Sequence, residues 1–172
     1  VFLSSIFYFL LDNVWPVSLF VRRVLFVPAD LTYDYFMFFF ENPHVHWSNS
    51  VLSGFLPYPY DQGIAKLIGE FNGSGAAANN GFISSGFAHA GLMGVIFYSF
   101  VFAIFVIMLE KYSNGLPLWF SISVTVVPLR SAIVSSDLFT VILTHGLLVT
   151  LIIILLFRNN RFRCTLSKFK ES

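Results

Sequence analysis

Two charged residues stand inside an apolar run, in the stretch "TVVPLRSAIVSSDLFTVIL" from Thr125 to Leu143. Arg130 and Asp137 are the first candidates for chemistry, because ionisable groups within apolar spans usually face a bundle interior or a wet cavity. An ion pair between them would hold a hairpin together. An Arg130 turned to a ligand would instead bind an anion, since a guanidinium fork matches phosphate or carboxylate oxygens. Both readings stand on residue type alone. Arg22 and Arg23, directly after the first apolar stretch, pose the same choice between snorkelling to lipid headgroups and binding an anion. His145 falls about 12 Å below Asp137 at helical rise and reads either as a packing residue or as a proton acceptor. Asp30, Asp34, Glu41 and Asp61 are the other carboxylates of the long polar-aromatic segment. Each reads as a solvated group or as a general base. His44 and His46 in "ENPHVHW" lack a cysteine or carboxylate at ligand spacing, so neither a metal nor another cofactor is expected.

The elements that must position these residues follow from composition. The 172 residues are 56% hydrophobic and 11% charged, against roughly 25% charged in a soluble domain. Mean hydropathy is +0.77, and 22 phenylalanines leave too little polar surface to coat a water-facing globule. The expected class is all-α, a polytopic transmembrane helical bundle. A net charge of +1 without a clustered basic face excludes nucleic acid as a partner. The single Cys164 excludes an internal disulfide framework. It reads as a free thiol or a palmitoylation site in a basic tail.

Three segments are long enough to cross a bilayer, which takes about 20 apolar residues: Ala90 to Leu109, Leu116 to about Val134, and Leu138 to Phe157. Run together as one helix, Leu116 to Phe157 would measure roughly 60 Å, twice the hydrocarbon core. The chain must therefore reverse at "SSD". There Ser135 or Ser136 can cap the next helix and Asp137 suits its positive end. Residues 1–20 form a further possible span, interrupted by Asp12, Asn13 and Pro16. The chain reads as the C-terminal part of a longer polytopic protein.

Orientation comes from the basic tail of residues 158–172. Arg158, Arg161, Arg163, Lys168 and Lys170 favour the cytoplasmic side. That puts the "EKYSNG" link inside and the "SSD" turn outside, along with a long extracytoplasmic or interfacial loop over residues 21–89. Its aromatic runs suit the headgroup level. The glycines of "NNGFISSGFAHAG" lack the strand and the Gly-Lys-Ser of a phosphate loop, and read as connector and close helix packing or as backbone approaching a sugar or phosphate. Arg22, Arg23, Asp34, His44, His89, Arg130 and Asp137 all fall on the outer side.

"VRRVLFVPADLTYDYFMFFFENP", "AAANNGFISSGFAHAGLMGVIFYS" and "VVPLRSAIVSSDLFTVILTHG", in that order, resemble the C-terminal part of O-antigen polymerases, the oligosaccharide repeat unit polymerases. The resemblance covers about Val21 to Leu148. It implies a bacterial inner-membrane glycosyltransferase whose active face is periplasmic, joining repeats carried on undecaprenyl pyrophosphate without a nucleotide sugar. It implies that Arg22, Arg23 and Arg130 hold the donor pyrophosphate, that Tyr33 and Tyr35 contact substrate, and that Asp137, Asp34 or His145 serves as base. Partners would be the lipid-linked oligosaccharide, the bilayer and a chain-length regulator. The chain departs from that family in offering far fewer spans and in lacking repeated arginine-rich loop motifs. Two readings compete with it: a transporter or flippase fragment, and a non-catalytic membrane subunit. A transporter calls for polar residues through the depth of several spans, whereas the ionisable residues here gather at the outer end.

Overall fold

The fold is known from a computed structural model, which describes residues 15–49, 52 and 54–170. Most of the possible first span, residues 1–14, lies outside the described residues. The described chain is helical, with no strand among its described residues. Helix α1 (Trp15–Val21) runs through a π-helical turn (Arg22–Phe26) into α2 (Val27–Glu41). Then come α3 (Ile64–Phe71), α4 (Phe82–Ser113), α5 (Leu118–Val134), α6 (Leu138–Leu143) and α7 (Leu147–Lys170). Residues 21–89, expected as a loop, are thus largely helical. The alternation of Phe and Tyr along α2 buries Tyr35 and Phe39 on one face, a pattern that long aromatic runs hide from a reading by composition.

Helix α4 is two helices joined by a kink. Ala90 (φ −149, ψ 31) and Gly91 (φ 58, ψ −143) leave helical geometry, and the left-handed value at 91 is one that glycine adopts without a Cβ penalty. Residues 82–89 fold back so closely that a Cβ on Gly94 would lie 2.0 Å from the Gly86 carbonyl oxygen. The remaining part, residues 92–113, measures about 33 Å at helical rise, a match to the hydrocarbon thickness. Helix α5 begins at Leu118, two residues into the expected second span, and its 17 residues fall short of the about 20 that a bilayer takes. The third is interrupted between α6 and α7, where Gly146 takes φ 88.

Two cores result. Tyr98, Leu109, Ala132, Leu138, Val141, Leu147, Leu151 and Ile154 pack between α4, α5, α6 and α7. Tyr35, Phe39, Val45, Ile68, Ala78, Phe87 and Ala88 form a second cluster under α2 and α3, with Phe36 stacked on Phe87 at 4.0 Å.

The helices Phe82–Ser113 and Leu138–Arg158 are long and apolar enough to cross a membrane. Only 17% and 33% of their most apolar windows are buried, which separates them from the core helices of a soluble protein. Leu92, Met93, Ile96, Phe100, Val126, Val149, Ile152 and Leu156 are all exposed, an apolar belt of the kind that marks a membrane surface or a partner.

The two ends of the bundle are distinct. At one, Arg158 donates to the Lys111 carbonyl (3.4 Å) and lies 5.5 Å over the Tyr112 ring, capping the C-terminal carbonyls of α4 with a cation. At the other, the turn before α6 meets the kink of α4. The link at Glu110 to Gly115 therefore shares an end with Arg158, and the "SSD" turn lies at the opposite one.

Candidate functional site

The site grows out of the kink. A helix ends with carbonyls that lack intrahelical partners, and the extended residues after α2 supply them. The Val45 N–H donates to the Ala88 carbonyl (2.9 Å) and the His46 N–H to that of His89 (3.0 Å). Holding this register forces His46 (φ 49) and Trp47 (φ 58) into the left-handed region, which is uncommon for residues with a Cβ and concentrates at functional sites.

Trp47 then starts a closed ring of four residues. Its backbone N–H donates to His89 Nδ1 (3.2 Å), which places the imidazole proton on Nε2. His89 Nε2 faces Asp137 Oδ1 at 3.5 Å. The same oxygen accepts from the Tyr98 hydroxyl (2.8 Å). The Tyr98 oxygen in turn accepts from Trp47 Nε1 (2.9 Å), and the Trp47 and His89 rings stack at 5.3 Å. Asp137 Oδ2 is used as well: it accepts from the N–H groups of Phe139 (3.0 Å) and Thr140 (3.3 Å) and so caps α6. The expected capping role thus belongs to Asp137 rather than to Ser135 or Ser136.

Burial pushes the Asp137 carboxyl up. The hydrogen bonds from His89 and Tyr98, the nearby His89 ring and the Thr140 N–H outweigh that and hold it below the ordinary carboxylate range. Asp137 is therefore an ionised anchor whose four acceptor positions are all taken. It is built to orient its neighbours and to present negative charge.

His89 and Asp137 of the ring line a cavity of about 380 Å³, together with Tyr35, Asn49, Lys66, Asn79, Asn80, Ser85 and Ser136 among others. Its polar groups are the amides of Asn49, Asn79 and Asn80, the hydroxyls of Tyr35, Ser85 and Ser136, and the charged Lys66 and Asp137, in a lining whose surface is mostly apolar and includes Ile64, Ala65 and Ala77. Asn80 is fixed by donating to Ser84 Oγ (2.8 Å), Thr32 Oγ1 (2.9 Å) and the Pro28 carbonyl (3.2 Å), tying α2 to α4. The Tyr35 hydroxyl donates to the Ala78 carbonyl (2.9 Å). Burial, with the Asp137 charge, pushes its phenol well above the ordinary range, so it stays neutral. On the other side of Trp47 lies an apolar groove of about 440 Å³ between Trp47, Leu52, Phe97 and Phe139. Another hollow, of about 630 Å³ around Glu110 to Ser121, is at the opposite end of the bundle, away from this ring.

Of the residues singled out by sequence, Asp137, Tyr35 and His89 meet at this cavity. Arg130 is exposed on α5. Asp137 pairs with His89, and the Arg130–Asp137 pair does not form. Arg22 and Arg23 are exposed in the π-helical turn, where Arg22 borders a separate pocket with Phe26, Val27, Ala29 and Asp30. Asp34 accepts from Asn72 Nδ2 (3.1 Å), Tyr33 is exposed, and His145 is exposed at the break between α6 and α7. None of these lines the cavity. Trp47, Tyr98 and Asn80 were not singled out. The available signal was Tyr98 itself, a hydroxyl in a charge-free span that needs a partner when buried.

No protein-family model, curated protein or solved structure matches the chain.

Proposed function

We propose that the chain is part of a bacterial inner-membrane glycosyltransferase that polymerises undecaprenyl-pyrophosphate-linked oligosaccharide repeats on the extracytoplasmic face. One observation carries this reading beside the resemblance of its motifs. A cavity that brings His89 and Asp137 together with several amides and hydroxyls sits at one end of an apolar bundle, where a lipid-borne saccharide presents its sugars. In the transfer, the acceptor hydroxyl oxygen attacks C1 of the donor sugar. The bond from C1 to the pyrophosphate oxygen breaks, and undecaprenyl pyrophosphate leaves with the electron pair. The hydroxyl proton passes to a base. Among the candidate bases only Asp137 lines the cavity. Its saturated carboxylate suits it to orienting the acceptor side and to stabilising positive charge that develops at the sugar. Arg130, exposed and without an ion pair among the described residues, has a guanidinium available for the departing pyrophosphate. Arg22 and Arg23 serve the same role from the π-helical turn between α1 and α2.

The saturation of Asp137 also fits a non-catalytic membrane subunit in which the ring is purely structural. Expression of the full-length gene in a host that lacks its polymerase but makes the cognate repeat unit separates the two. A long-chain lipopolysaccharide ladder is expected from the wild type, with loss in Arg130→Ala and Arg23→Ala at unchanged membrane protein level. Removing an exposed, unpartnered arginine changes stability by no more than about 0.5 kcal/mol, so a lost ladder would report on substrate. A ladder that survives both substitutions removes the arginines from the site. No ladder from the wild type overturns the polymerase reading.

A further inference from the structure

Helices α4 and α5 are joined at the end of the bundle opposite the ring, and the hollow of about 630 Å³ lies at that junction. Its lining includes Ile107, Glu110, Lys111, Asn114, Leu118 and Ser121. Glu110 and Lys111 are both exposed, and as chain neighbours on a helix their side chains do not face one another. The ion pairs among the described residues are Lys66 with Glu70 and His89 with Asp137. Glu110 and Lys111 therefore bring one charge of each sign to the hollow, and neither has an ionic partner in the protein.

The backbone repeats that pattern. Helix α4 ends at Ser113 and α5 begins at Leu118 without a side-chain cap. The last carbonyls of the one carry partial negative charge and the first N–H groups of the other partial positive charge. The level is that of lipid headgroups, since residues 92–113 match the hydrocarbon thickness and the hollow lies at their end. Ile107, Leu118 and Trp119 are exposed there, and tryptophan favours the membrane–water boundary.

We infer that the hollow holds the head of a zwitterionic phospholipid with a primary amine, of the phosphatidylethanolamine type. Its ammonium meets Glu110 and the carbonyl end of α4. Its phosphate meets Lys111 and the first N–H groups of α5, and its acyl chains descend past Ile107 and Leu118. A glycerol head would bring a phosphate with no cation of its own and leave Glu110 unmatched. A choline head has the positive charge but no N–H to give to the Glu110 carboxylate or the Asn114 amide oxygen. The basic tail attracts anionic lipid in general, but Arg158, its first member, is turned to the Lys111 carbonyl and the Tyr112 ring and does not line the hollow. The site is independent of the glycosyltransferase reading.

The test uses the full-length protein purified in detergent. It is titrated with dioleoyl phosphatidylethanolamine, phosphatidylcholine or phosphatidylglycerol, and the first bound lipid is quantified by native mass spectrometry. Phosphatidylethanolamine is expected to bind about ten-fold more tightly than either of the others, a difference of about 1.4 kcal/mol. Glu110→Gln is expected to remove that preference and leave phosphatidylcholine binding unchanged, and Glu110→Asp to restore most of it. Lys111→Gln is expected to weaken phosphatidylethanolamine and phosphatidylcholine alike. Equal affinity for the ethanolamine and choline lipids, a preference for phosphatidylglycerol, or a preference that survives Glu110→Gln overturns the proposal. The three-lipid comparison on the wild type decides by itself if a variant fails to fold. A missing lipopolysaccharide ladder would discard the polymerase reading and leave this site standing.

Discussion

The hydroxyl of Thr150 donates to the carbonyl of Val124 at 3.0 Å, across the contact between α7 and α5. Val124 is four residues before Pro128, which lies inside α5. A proline has no N–H, so the carbonyl four residues earlier loses its helical donor, and in a membrane such a group must find another. Thr150→Val should therefore destabilise by about 0.6–1.7 kcal/mol, the range of interhelical hydrogen bonds in bilayers. Thr150→Ser should retain most of that. The loss should shrink in a Pro128→Ala background, where the helix supplies its own donor. Thermal midpoints in detergent for the double-mutant cycle measure the coupling; equal losses in both backgrounds would show that Thr150 does not serve the freed carbonyl.

The crossing of Gly86 and Gly94 leaves no room for a methyl group. A Cβ on Gly94 would lie 2.0 Å from the Gly86 oxygen, and one on Gly86 would lie 2.8 Å from the Gly94 oxygen. Both obstacles are backbone, so relief requires the two halves of α4 to separate. Gly94→Ala should cost at least the upper part of the usual overpacking range of about 1–3 kcal/mol, and more than Gly86→Ala. Size-exclusion profiles after graded heating would rank the two variants. The reverse ranking would mean that the halves are not this close.

Asp137 joins three parts of the chain, and its acid sensitivity follows from its depressed pKa. A carboxylate whose folded value is lowered adds stability that is complete above the unfolded value and disappears as pH falls through the folded one. The unfolded reference is 3.8, so this contribution should be flat from neutral pH to about that value and decline only below it. Asp137→Asn should abolish the decline. It should also cost less at neutral pH than Asp137→Ala, because asparagine still caps α6. The alanine variant loses hydrogen bonds to a charged group, each worth about 1.5–3 kcal/mol. Unfolding followed by near-ultraviolet circular dichroism from pH 7 to 3 checks both statements.

What could be read from the chain alone divides along physical lines. The long apolar helices over 90–109 and 138–157 announce themselves because hydropathy is a local sum, and the reversal at "SSD" follows from length against bilayer thickness. The capping role suited to Asp137 follows from residue type at a helix start. The ring around it was hidden, because His89, Tyr98 and Trp47 are 48, 39 and 90 positions away from it in sequence. No local pattern encodes such contacts. Proximity in sequence favoured Arg130 as the partner, yet it lies on the exposed side of α5 and the turn delivers Asp137 to α4 instead. The kink at Ala90 and Gly91 was equally silent, since a glycine in an apolar helix reads the same whether it packs a neighbour or breaks the helix.

His89 makes two contacts through two nitrogens, and substitutions can separate them. Asparagine places an amide oxygen near the position of Nδ1, and glutamine places an amide nitrogen near that of Nε2. His89→Asn should keep an acceptor for the Trp47 N–H and so hold the left-handed turn, while losing the donor to Asp137. His89→Gln should keep a donor for Asp137 and release Trp47, because a buried N–H without an acceptor costs about 1–3 kcal/mol. In a Trp15→Phe, Trp119→Phe background, Trp47 is the only indole left of the three in the chain, so its emission reports the turn directly. The glutamine variant should show red-shifted, more quenchable emission with the cap on α6 intact. The asparagine variant should keep native emission but lose the part of the acid-linked stability of Asp137 that His89 supplies, with the Tyr98 and backbone contributions retained. If both variants release Trp47 alike, the ring is held by packing of the His89 face rather than by its nitrogens.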